Sequence, residues 1–98
     1  MNLLELAERV EKAEGPDKIL DFEISEAAGK DYNYTASLDA AMQLVPEGWS
    51  ARIRIKPRWP AYVEMWRVST ASIEASAATT ALTLTAAALR ARAAMETL

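Results

Sequence analysis

Apolar and polar positions alternate along this chain with two different periods, and the change from one to the other divides it. Over residues 2–14, Leu3, Leu6, Ala7 and Val10 recur at helical spacing, with Asn2 placed to cap the start and Gly15-Pro16 to end the run. A second helix is predicted from Asp17 to Ala28, with Leu20, Ile24, Ala27 and Ala28 as its inward stripe, Ile19 and Phe22 flanking it, and Gly29 as its stop. Residues 30–34 read as a loop. Thr35 or Ser37 then caps a third helix whose Leu38, Ala41, Met42 and Val45 face inward, closed by Pro46-Glu47-Gly48.

From Trp49 the period falls to two. Trp49, Ala51, Ile53 and Ile55 alternate with Ser50, Arg52, Arg54 and Lys56, the pattern of a half-buried strand. Pro57-Arg58-Trp59-Pro60 is the turn, because two prolines do not fit inside a sheet ladder. Ala61 to Val68 forms a second strand, with Tyr62, Glu64, Trp66 and Val68 on one face and Ala61, Val63 and Met65 on the other. Residues 69–78 fit either a short third strand, through the alternation of Ala71, Ile73 and Ala75, or the beginning of the last helix. That helix runs from about Thr80 to Thr97, capped by Thr79 or Thr80, with Leu82, Ala86, Leu89 and Ala93 on one face. The predicted fold is a single α+β domain over residues 1–98. It has a three-stranded, or at least two-stranded, antiparallel sheet packed with about four helices in a sandwich-like arrangement.

Composition narrows the chemistry. At 51% hydrophobic and 26% charged residues the chain has the make-up of a folded domain rather than a disordered one. It contains neither cysteine nor histidine. The commonest general base, the commonest zinc ligands and every Ser-His or Cys-His nucleophile arrangement are therefore missing. The carboxylate pairs Asp17/Asp21 and Glu5/Glu8 have helical spacing, but spacing alone makes no acid/base or metal site. No catalytic residue, metal site or cofactor is assigned, and the reading is non-enzymatic. The charged, amphipathic start lacks the pattern of a secretory signal, and no apolar run reaches the ~20 residues of a membrane span. The expectation is a cytoplasmic protein with no membrane partner.

Net charge adds the feature that singles out a site. Residues 1–47 hold eleven acids against four bases, whereas residues 48–68 hold Arg52, Arg54, Lys56, Arg58 and Arg67 against Glu64 alone. The hairpin is one positive island in an acidic chain, and all three tryptophans lie on it. If Ile53 and Ile55 face the helices, Arg52, Arg54 and Lys56 share the opposite face about 6.5–7 Å apart. Tyr62 and Trp66 project beside them, with Arg58 and Trp59 at the tip. Guanidinium groups bind phosphate bidentately and aromatic rings stack on bases, so these seven residues are the candidate ligand-binding set for an anionic nucleotide. The plainer alternative is a solvated edge strand whose basic residues discourage aggregation. The acidic helices are a second candidate surface, suited to a basic groove on a partner protein. The exposed strand edge and the Ala-rich last helix are both compatible with a homo-oligomer.

Two stretches carry a family likeness. Tyr34-Thr35-Ala36-Ser37-Leu38-Asp39-Ala40-Ala41 with Val45-Pro46-Glu47-Gly48-Trp49, and the run from Ala77 to Ala91, resemble small phage and prophage proteins of the phage ABA sandwich type. Thr80 and Thr85 stand where that pattern has proline and cysteine. The resemblance implies a helix–sheet–helix layering and a phage origin, and brings no active site with it. The resulting expectation is a phage-type binding protein of the host cytoplasm that antagonises a host defence process, with the nucleotide as ligand. The alternatives are an inhibitor of a host protein complex, such as a CRISPR complex, acting through its acidic helices, and a virion or prophage accessory protein.

Overall fold

Short polar side chains beside each apolar run decide where the helices begin. The computed structural model describes residues 2–58, 60–67 and 72–96. Asn2 accepts a hydrogen bond from the Glu5 N–H at 2.8 Å and starts α1 (Leu3–Lys12). Asp17 accepts from the Ile19 and Leu20 N–H groups and starts α2 (Lys18–Ala28). That helix ends on Gly29 at φ 81°, a left-handed geometry that glycine adopts at little cost. Ser37 caps α3 (Leu38–Met42) through the Ala40 N–H. After the strands, Thr79 accepts from the Leu82 N–H at 3.1 Å at the head of α4 (Thr80–Glu96).

The period-two region forms β1 (Ser50–Arg54), β2 (Ala61–Trp66) and β3 (Ile73–Ala77), an antiparallel sheet in the order β1-β2-β3. Residues 73–77 are thus a strand and not the start of the last helix. The register sets Arg52 opposite Glu64 and Arg54 opposite Tyr62, and on the other side of β2 sets Glu64 opposite Glu74. Val68, Ala71 and Thr97, which the pattern assigns to strand and helix, lie outside the described residues.

The helices build one layer against one sheet face. Helix α4 packs on β2 and β3, α1 on α4 and β3, α3 on α4, and α2 on α1. Every residue of α4 from Ala81 to Leu89 is buried, so this helix runs through the core instead of along its surface. Its alanines permit that close approach, and its threonines find partners. The Thr83 hydroxyl accepts from the Ala77 N–H at 3.1 Å and lies 2.7 Å from the Thr79 carbonyl. Thr85 donates to the Tyr34 carbonyl at 3.0 Å. Among the described residues no helix is long and apolar enough to cross a membrane.

Two predicted faces need correction. In α3, Leu38 and Met42 are exposed while Ala40, Ala41 and Leu44 are buried, because the Ser37 cap rather than apolar spacing sets the phase of so short a helix. In α2 the buried positions are Leu20, Asp21 and Ile24, and Ala27 is exposed. Asp21 turns inward because its carboxylate accepts from the buried Thr35 N–H at 2.8 Å. Thr35 in turn accepts from the Asp17 N–H at 2.8 Å, which ties the segment before α3 to the head of α2. Helix α1 also ends earlier than Gly15, with the Ala13 N–H on the Val10 carbonyl at 3.2 Å.

Candidate ligand-binding face

Strand parity decides what the sheet shows to solvent. Val63, Met65, Ala75 and Ala77 are buried against the helices, so the intervening residues point away from them. The outer face therefore carries Arg52 and Arg54 on β1, Tyr62, Glu64 and Trp66 on β2, and Glu74 and Ser76 on β3. Arg52, Arg54, Lys56 and Arg58 are exposed, and Tyr62, Glu64 and Trp66 are half-buried. Among the described residues no helix lies on this face.

The seven candidate residues separate into groups. Arg54, Lys56 and Tyr62, with Pro60, line a recess of about 410 Å³ at the hairpin end of the sheet. Arg52 sits further along β1, its guanidinium 5.6 Å from the centre of the Trp66 ring and 4.0 Å from the Glu64 carboxylate. Arg52 and Trp66 thus satisfy each other outside the recess. Arg58 is held at the tip with φ 70°, a left-handed conformation that costs a non-glycine residue roughly 1–2 kcal/mol. Trp59 lies outside the described residues.

The face is electrically divided. Arg54 and Lys56 have no salt bridge among the described residues, whereas Glu64 and Glu74 face each other across β2 and β3. Hydrogen bonding of the Tyr62 phenol, as donor, to the Glu74 carboxylate holds its pKa above the ordinary value; partial burial adds to the shift and Arg54 opposes it. Tyr62 stands on β2 between Arg54 of β1 and the β3 strand that carries Glu74, and lines the recess with Arg54 and Lys56. Parity alone places Glu74 here once Ile73 and Ala75 are assigned inward; Pro60, read as a turn residue, gives no such signal.

Trp49, an inward position of the strand alternation, is half-buried and packs against the core, with the Arg67 guanidinium 5.7 Å from its ring centre. Tyr34 is buried and donates to the Lys30 carbonyl at 2.6 Å; Tyr32 meets it edge-on and is partly exposed.

The acidic helices are less available than their composition suggests. Glu11 holds Arg90 through two hydrogen bonds at 2.6 and 3.2 Å, and this pairing raises the Arg90 pKa. Glu23 pairs with Arg9, Asp17 caps α2, Asp21 is buried on Thr35, and Glu5 reaches back to Asn2. At least six of the eleven acids in residues 1–47, these five and Asp31, which accepts from the Ser25 hydroxyl, are therefore engaged within the fold among the described residues. No family model, curated protein or solved structure matches the chain.

Proposed function

We propose that this is a non-enzymatic binding protein that holds a small phosphorylated ligand, of the nucleotide class, in the recess at the hairpin end of its sheet. The observation that carries this reading is the convergence of Arg54, Lys56, Tyr62 and Pro60 on one recess of about 410 Å³. That volume falls within the roughly 300–1,000 Å³ usual for small-ligand sites. The Arg54 guanidinium offers a planar pair of donors to a phosphate and Lys56 adds a mobile point charge. The Tyr62 ring and Pro60 give the base an apolar surface to lie against. Sequestration of a nucleotide signal by a phage-type protein that blunts a host response accords with this chemistry and with the likeness to phage proteins.

Isothermal titration with a panel of mononucleotides, dinucleotides and cyclic nucleotides tests the proposal. At least one should bind, with Arg54→Ala and Lys56→Ala each weakening affinity about tenfold, as expected for loss of a charge-assisted contact. Arg52→Ala should weaken it less, because Arg52 is engaged by Trp66 and Glu64. A panel without any binder, or a binder indifferent to both recess variants, refutes the assignment.

A further inference from the structure

We propose that the outer edge of β1 is a docking site for an extended acidic segment of a partner protein, which adds to the sheet as a fourth strand. This inference does not rest on the nucleotide reading. Strand β1 pairs with β2 on one side, so alternate residues direct their N–H and C=O groups outward from its other side.

The helical layer also stops short of it. Helices α4 and α1 cover β2 and β3, whereas Ala51 is exposed, Ile53 is half-buried and Ile55 is 70% exposed. These are the three inward-facing apolar positions of the strand and its extension. The β3 edge differs, since Ala75 and Ala77 are buried and the outer side chains are Glu74 and Ser76. A strand added at β1 thus meets an uncovered apolar strip on the helix side and Arg52, Arg54 and Lys56 on the other.

Charge selects the occupant. A second copy pairing antiparallel through the whole of β1, with matched faces, sets Arg52 opposite Arg52, and a shift toward Lys56 sets Arg52 opposite Arg54. Like charges directly opposite destabilise a sheet, and opposite charges stabilise it. The complementary strand alternates acidic side chains, facing Arg52 and Arg54, with apolar ones beside Ile53 and Ile55. Main-chain hydrogen bonds then give affinity and the alternation gives specificity, as in other strand-addition complexes. The same basic residues that deter self-association recruit this partner.

A capped peptide of alternating Glu and Val, titrated by fluorescence anisotropy and by amide hydrogen exchange of residues 50–55, is the test. The peptide should bind and slow exchange in β1. N-methylation of alternate peptide amides, and the double variant Arg52→Glu/Arg54→Glu, should each weaken binding about tenfold. The double variant should gain affinity for a Lys/Val peptide, which also shows that it is folded. Lack of binding, equal binding of the N-methylated peptide, or protection confined to other elements overturns the proposal. So does a peptide-free dimer with protected β1 amides, because the edge would then belong to a second copy. Lys56→Ala with nucleotides reports on the recess, whereas N-methylation reports on the edge alone, so failure of either reading is distinguishable from failure of the other.

Discussion

Asp21→Ala probes the junction on which the first half of the molecule turns. Asp21 is 7% exposed and its carboxylate accepts from the N–H of Thr35, itself 1% exposed, at 2.8 Å. The Thr35 hydroxyl accepts from the Asp17 N–H at 2.8 Å and lies 3.2 Å from the Asp17 carbonyl. Removing the carboxylate leaves a buried amide without its acceptor. Loss of a hydrogen bond to a charged group amounts to about 1.5–3 kcal/mol. In a domain of this size each kcal/mol corresponds to about 4–8 °C, so a loss of about 2 kcal/mol lowers Tm by roughly 8–16 °C. Urea and thermal unfolding followed by circular dichroism, on the Ala and Asn variants together, give the answer. Asn keeps an oxygen acceptor and should retain more than half of the stability that Ala loses. A loss below about 0.5 kcal/mol for Ala, the range of ordinary surface changes, would refute the claim that this amide depends on Asp21. Equal damage from Asn would show that the negative charge, not the acceptor, is what matters.

Two further outcomes follow from local geometry. Arg58→Gly relieves the left-handed φ of 70° at the hairpin tip and should raise stability by up to about 1 kcal/mol in urea melts, and a decrease would show that the Arg58 side chain holds the turn. Burial lifts the Tyr34 pKa above its ordinary value of 10.0, the neighbouring Tyr32 adds to the shift and Arg92 opposes it. Because the folded value is the higher one, stability from this group is intact below the unfolded pKa and declines as pH rises through the interval up to the folded one. Tyr34→Phe should lose about 1 kcal/mol at neutral pH, with its bond to the Lys30 carbonyl, and should show a shallower alkaline decline. An unchanged alkaline slope would exclude Tyr34 as its source.

Much of this fold was legible because its signals are local. Asn2, Asp17 and Thr79 are cap residues by chemistry, and each accepts a backbone N–H at the head of its helix. Strand parity was equally legible, since one buried residue fixes the direction of every other. What escaped the sequence reading depends on distant partners. Asp21 looked like a solvated acid on a charged helix, and only the approach of Thr35, fourteen residues away, makes it a core residue. Helix α4 showed one apolar face, but neighbours on several sides bury it all round. The candidate site was legible as a set of residues and not as a grouping. Register, which joins Arg54 to Tyr62 and Arg52 to Glu64, is a property of paired strands.

The position of β1 at the sheet edge leaves part of what its side chains could bury unburied. Two of its three outer residues are charged, and of its inner ones Ala51 and Ile53 offer less apolar area than the Val63 and Met65 of β2. Helix α4, narrow because of its alanines, packs on β2 and β3, and β1 lies at the margin of that cover with only Ile53 of its described inward residues half-buried. Full burial of an isoleucine side chain stabilises a fold by about 1.5–3 kcal/mol, and Ile55 at 70% exposure has most of that still unrealised. The strand that the helices cover least is thereby the one with the most to gain from a partner. Its alternating charge then decides which partner: a basic strip beside unburied isoleucine favours an acidic strand with apolar residues between its charges over another copy of itself.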